Sequence, residues 1–98
     1  MSEQVTVIAK VKAKEGMAEE LLKELTALLE PSRADAGCIN YNLHRSADDE
    51  SEFMFYENWQ SRQALDDHIM TPHLRAFLEK SDSLLDGPLD VTMWELLS

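Results

Sequence analysis

An α+β fold is predicted by the order in which two hydrophobic periods follow one another along the chain. A period of two, typical of β-strands, occurs in four segments: residues 4–13, 38–44, 53–59 and 89–94. Helical spacing of apolar residues separates the first from the second and the third from the fourth. The order strand, helix, strand, strand, helix, strand predicts a ferredoxin-like βαββαβ fold, with a four-stranded antiparallel sheet and both helices on one face.

The first half supplies one strand and one helix. Valine or alanine occupies every second position of the first strand up to Ala13, and Glu15-Gly16 interrupts the pattern. Leucines then recur at helical spacing, while Glu19 and Glu20 suit the positive end of the helix dipole. We expect this helix to end within Pro31–Asp35.

The second half begins with a predicted hairpin, whose turn is Arg45–Ser51. Ser61 is a good N-cap for the next helix. Thr71-Pro72 starts a new helical segment, because threonine caps well and proline fits the first helical position. The helical region is therefore predicted to be kinked or split there, and Gly87-Pro88 ends it before the last strand.

The length of 98 residues favours a single domain spanning residues 1–98. Phe53 and Phe55 alternate with Met54 and Tyr56, so large apolar groups occupy both faces of the third strand. An antiparallel sheet with one wet face should instead alternate apolar with polar residues. With the helices on one side, we expect the other face to pack on a second copy, which predicts a homodimer.

The charge excludes some partners. Nineteen acidic against nine basic residues give a net charge of −10, which repels nucleic acid and anionic membrane surfaces. Cys38 is the only cysteine, and the first ten residues lack a signal-peptide pattern. These features predict a cytoplasmic protein that binds neither nucleic acid nor membrane.

Four motifs resemble the antibiotic biosynthesis monooxygenase family: G-C-x-x-Y at Gly37–Tyr41, E-x-W at Glu57–Trp59, A-L-x-x-H at Ala64–His68 and T-P-H at Thr71–His73. The resemblance covers nearly the whole chain and implies a dimeric α+β barrel. The best-known members are cofactor-independent oxygenases that act on quinols or polycyclic phenols. Others degrade haem or isomerise small phosphorylated signalling sugars.

Two of these activities are disfavoured by particular residues. Haem-degrading members carry an asparagine on the first strand, where this chain has Ala9. A phosphorylated substrate requires a cationic or backbone-amide cradle, and the sequence contains no glycine-rich loop. We expect no cofactor.

Two histidines are candidates for proton transfer. His68 shares a helix face with Leu65 and Ile69, so it should point inward and take a proton from a phenol. The alternative is a core histidine bonded to a backbone carbonyl. His73 is a candidate substrate contact, although a structural role at the helix start competes. Their spacing across Pro72 predicts different helix faces, and we expect no shared metal ion.

Five further residues are candidates for the pocket wall. The resemblance places Trp59 toward the helices, and Asn58 either binds a substrate oxygen or ends the strand. Glu57 is a candidate buried carboxylate with a raised pKa or a structural hydrogen-bonding group. Asn40 either orients a substrate hydroxyl or bonds to the backbone. Tyr41 points to the opposite face of the strand from Asn40, where it either packs in the core or donates its hydroxyl.

The sequence therefore predicts a cofactor-free monooxygenase whose partners are a small aromatic substrate, dioxygen and a second copy of the chain. His68 would be the base, while Trp59 and Asn58 would position the substrate between the sheet and the helices. Two alternatives stay open: a ligand-binding dimer without turnover, and an isomerase acting on a small carbonyl or phosphorylated compound.

Overall fold

The computed structural model describes residues 3–98. The strands are β1 Val5–Lys12, β2 Cys38–Arg45, β3 Glu52–Trp59 and β4 Asp90–Glu95, and the helices are α1 Ala18–Ala27, α2 Leu29–Arg33, α3 Arg62–Ile69 and α4 Pro72–Leu84. The strands form one antiparallel sheet in the order β2-β3-β1-β4. The predicted ferredoxin-like α+β fold is confirmed. Within residues 3–98, no helix is both long and apolar enough to cross a bilayer.

The strand register divides the sheet into an inner face and an outer face. In β1, Val7, Ala9 and Val11 are buried on the inner face, against the helices. Val7 is in register with Glu57 of β3, which places that carboxyl on the inner face as well. The predicted alternation in β3 is confirmed, because Trp59 is fully buried while Tyr56 is 39% exposed on the outer face.

The first helical region is broken, which the sequence interpretation did not include. Leu28 separates α1 from α2, and its backbone N–H bonds to the carbonyl of Leu25 in a tighter turn. Pro31 explains the break, because it has no N–H to give to Ala27 and its ring crowds that carbonyl. The region ends at Arg33, inside the predicted range.

The second helical region is split where predicted. The Ser61 hydroxyl accepts from the backbone N–H of Ala64 at the start of α3. The Thr71 hydroxyl accepts from the backbone N–H of Leu74, and Pro72 occupies the first turn of α4. Because α4 begins as a separate helix, its first residues are not placed by the helical period of α3.

A tight turn joins α2 to β2, bonds to the residue that follows β3 and packs closely against α3. The N–H of Cys38 bonds to the carbonyl of Asp35, and the carbonyl of Gly37 accepts from the N–H of Gln60. Gly37 has a φ of 82°, and a Cβ on it would lie 2.5 Å from the Cβ of Ala64. Glycine is therefore required both by the backbone conformation and by the close approach to α3.

A β-bulge follows this turn. The register shifts between Cys38 and Asn40, so Cys38 pairs with Trp59 and packs against the core, while Ile39 is 49% exposed. A strict period of two along β2 would place Cys38 and Asn40 on the same face, and the register shift overturns that arrangement. The extra residue of the bulge reverses the side on which Cys38 lies.

Replacing Gly37 by Ala should destabilise the fold more than the same change at Gly16. Gly16 has a φ of 81° but open space around the position of a Cβ. The positive φ should cost Gly16→Ala about 1 kcal/mol, and the clash with Ala64 should cost Gly37→Ala roughly 2 kcal/mol more. Urea denaturation of both variants measures the difference, and equal losses would contradict the close packing of the turn on α3.

Candidate active site

A cavity of about 180 Å³ lies between the inner face of the sheet and the helices. Its wall is mostly apolar, with side chains such as Val11, Phe55, Leu65 and Phe77. Among the described residues that line it, the polar side chains are Tyr41, Glu57 and His68. An apolar enclosure with a few polar groups is typical of a small-molecule site.

The cavity opens toward solvent between β4 and α4. Val91 and Met93 lie on the inner face, in register with Ala9 and Val7, yet each is 44% exposed. Leu78 on α4 is 38% exposed. Apolar side chains therefore rim the mouth, which favours a ligand with apolar surface.

Glu57 presents a carboxyl group to the cavity. It is 4% exposed, and its Oε1 accepts a hydrogen bond of 2.9 Å from the indole N–H of Trp59. Burial raises the pKa of Glu57 to about 7, against the opposing effect of the Trp59 bond. With this pKa, the group can either accept or donate a proton near neutral pH.

His68 projects from α3 into the same cavity and is 3% exposed. Its Nδ1 lies 2.8 Å from Oδ2 of Asp35, so the predicted backbone-carbonyl partner is replaced by a carboxylate. Burial lowers the pKa of His68, while Asp35 acts in the opposite direction. In a neutral ring, Nδ1–H donates to Asp35 and Nε2 is left to accept a proton.

Aromatic rings hold the imidazole of His68 in place. The Trp59 ring lies tilted against it with centroids 4.5 Å apart, and the Tyr41 ring approaches edge-on at 5.4 Å. Trp59 is fully buried and does not line the cavity. It lies behind the cavity wall, where it contacts His68 and Glu57 and holds both side chains in position. Tyr41 is buried in the core and lines the cavity, and burial raises its pKa.

Asp35 is the functional residue that sequence reasoning missed. Its Oδ2 also lies 3.0 Å from Nε2 of His73, and the two imidazole rings are 6.1 Å apart. The expectation that the spacing across Pro72 separates His68 from His73 is therefore wrong, because the two residues lie on different helices, α3 and α4, to which one helical period does not apply. The break at Thr71 turns α4 so that His73 meets the same carboxylate. The signal available in the sequence was an acidic residue two positions before Gly37.

Asn58 and Asn40 lie on the outer face of the sheet. Asn58 accepts from Thr6 and from Gln4, and its amide donates to Asn40 at 2.9 Å. The prediction that Asn58 and Asn40 share the cavity with His68 is wrong, because adjacent residues of β3 face opposite sides. The amide of Asn40 also donates to the backbone carbonyl of Tyr56 on β3, which agrees with the alternative that Asn40 bonds to the backbone.

Comparison with known proteins agrees with the fold and the cavity. Residues 4–80 match the antibiotic biosynthesis monooxygenase family. The chain belongs to the antibiotic biosynthesis monooxygenase family. A relative from Bacillus subtilis, named "Putative monooxygenase YcnE", is 35% identical over 92 residues, covering 94% of this chain and 97% of the relative. Family membership and this name support a monooxygenase-like function.

Two further proteins are similar to this chain. A Synechocystis protein, sll1783, is 34% identical over 92 residues, and the alignment spans 94% of this chain but 63% of that longer relative. The crystal structure of PA3566 from Pseudomonas aeruginosa superposes with a TM-score of 0.94 at 38% identity, covering 100% of this chain and 98% of the other. The fold is therefore shared with that protein along nearly the whole length of both chains.

Glu57 should make stability depend on pH. The folded state raises its pKa from 4.5 to about 7, so it holds the proton more tightly than the unfolded state. The resulting stabilisation is present at low pH and is lost as pH rises through about 7. The loss should be about 3 kcal/mol between pH ~4 and pH ~8. Urea denaturation should show this loss in the wild type relative to Glu57→Gln, and parallel profiles would contradict the raised pKa.

Proposed function

We propose that this protein is a cofactor-independent monooxygenase that oxidises a quinol or another phenolic aromatic compound with dioxygen. The observation that carries the proposal is the convergence of two proton acceptors, His68 and Glu57, on an otherwise apolar cavity. A phenol fits such a site, because its ring needs apolar walls and its hydroxyl needs a base.

In the proposed reaction, His68 Nε2 removes the phenolic proton. Asp35 stabilises the imidazolium that forms, since its carboxylate faces Nδ1. The apolar wall leaves the phenolate poorly solvated and electron-rich, so that it reduces dioxygen by one electron. The superoxide then recombines with the ring at a carbon and forms a C–O bond, and the resulting peroxide takes the proton back from the His68 imidazolium to give a hydroperoxide.

Completing the oxidation requires a second proton acceptor. Loss of the proton from the oxygenated ring carbon breaks the O–O bond, so one oxygen atom stays as a quinone carbonyl and the other leaves as hydroxide, which takes up that proton to become water. Glu57 is the second group on the cavity wall that can accept this proton near neutral pH. The two proton transfers thus match the two titratable groups.

Replacing His68 by Gln should reduce protein-dependent oxygen uptake about 100-fold or more, because a general base contributes roughly that factor. The measurement is dioxygen consumption with a panel of reduced quinols and phenols, corrected for autoxidation. His44→Gln is the matched control, since His44 is exposed on β2, outside the cavity. Uptake unchanged in His68→Gln would contradict the assignment of the base.

An isomerase acting on a small carbonyl compound is the second candidate, favoured by the same acid–base pair. His68 and Glu57 can move a proton between two carbons without an oxidant. Substrate conversion under nitrogen would favour this activity. Saturable binding without conversion, in air or under nitrogen, would favour a ligand-binding protein.

The outer face of the sheet supports a homodimer within this proposal. Trp94 is 57% exposed and Tyr56 is 39% exposed on that face, and Leu97 in the C-terminal segment is 87% exposed. A second copy packed on this face would bury these side chains, and a chain of this size gains stability from such burial. Sedimentation equilibrium should give twice the 11.2 kDa chain mass. A mass of one chain, unchanged by Trp94→Glu, would contradict the interface.

A further inference from the structure

Three side chains that commonly bind metal ions converge beside the cavity. They are Asp35 from the turn before β2, His68 from α3 and His73 from α4, and one potential ligand atom of each lies within 4.8 Å of the others. We propose that these residues form a binding site for one divalent transition-metal ion, such as Zn²⁺ or Co²⁺.

The two Asp35 distances are close to those between the ligands of such an ion. Oδ2 of Asp35 lies 2.8 Å from Nδ1 of His68 and 3.0 Å from Nε2 of His73. Zinc bonds of about 2.0–2.2 Å to nitrogen and oxygen place tetrahedral ligand atoms roughly 3.3 Å apart. The Asp35 contacts would lengthen by a few tenths of an ångström, while the two histidine nitrogens, which lie within 4.8 Å of each other, would adjust to the same spacing through rotation of the side chains.

The donor set is one that transition metals select. Two imidazoles and one carboxylate bind Zn²⁺ and also form the triad that holds Fe²⁺, leaving coordination positions for water. The carboxylate neutralises part of the ion's charge, and the net charge of −10 favours cations over anions near the surface. The Asp35 and His73 side chains are 16% and 23% exposed, which gives the ion a route from solvent.

The three ligands are held by separate parts of the fold. Asp35 lies in the turn that Gly37 fastens against α3. The His68 ring packs against Trp59, and His73 follows Pro72 at the start of α4. Ligands fixed before binding lose little conformational freedom when the ion arrives, so this arrangement favours affinity.

Metal binding has a consequence that depends on the function proposed above. An ion on Nδ1 of His68 takes the lone pair on the nitrogen that faces Asp35, so the ring proton must lie on Nε2. The nitrogen available to the cavity then donates a hydrogen bond and cannot accept a proton. The metal-bound protein would therefore lack its base, and the ion would act as a reversible inhibitor.

The test titrates tag-free, chelator-treated and desalted protein with Co²⁺, followed by its visible d–d absorption. We expect saturation at one ion per chain, and displacement by Zn²⁺. Affinity should fall at least tenfold in His73→Gln and in Asp35→Asn, but not in His44→Gln. Circular dichroism confirms folding of each variant, and His73→Gln alone decides the question if Asp35→Asn fails to fold.

Absence of saturable binding, or equal affinity in wild type and His73→Gln, would overturn the metal site and leave the cluster a hydrogen-bonded proton relay only. Oxygen uptake is a separate measurement. Co²⁺ binding without turnover of any quinol or phenol would contradict the proposed function alone. Turnover that Zn²⁺ does not inhibit, in protein that binds Zn²⁺ at these residues, would contradict only the effect on the base.

Discussion

The contact between the Asp35 carboxylate and the His68 imidazole is the interaction on which the candidate site depends. It joins the turn before β2 to α3 and selects the ring nitrogen that faces the cavity. Neither group would have this role alone, because a buried imidazole without a partner has two ring orientations and two tautomers. The fold supplies the partner through Gly37, whose missing side chain lets the turn approach α3.

A second constraint comes from the apolar wall of the cavity. Burial raises the pKa of Glu57 and lowers the pKa of His68, so both groups favour their neutral forms. Two neutral groups cost less to keep in an apolar enclosure than two charges, and Glu57, with a pKa of about 7, remains able to exchange a proton near neutral pH. Stability and chemistry therefore require the same environment.

Much of the fold follows from local patterns that the sequence displays directly. The period of two defines the strands, and Thr71-Pro72 explains the split helix. The break at Leu28 was also predictable, because Pro31 lies one turn further along. The face of Asn58 was predictable too, since adjacent strand residues alternate and Trp59 points inward. The bulge at Cys38 has no comparable local signal, because it depends on how β2 pairs with β3.

The Asp35 contacts could not be predicted from spacing, since 33 residues separate Asp35 from His68. The meeting with His73 depends on the angle between α3 and α4, which a helical period does not describe.

The most direct test of the account is the tautomer of His68 in metal-free protein, measured by long-range ¹H–¹⁵N correlation spectroscopy near neutral pH. The account predicts a neutral ring protonated at Nδ1 with Nε2 unprotonated. A ring protonated at Nε2 would contradict it.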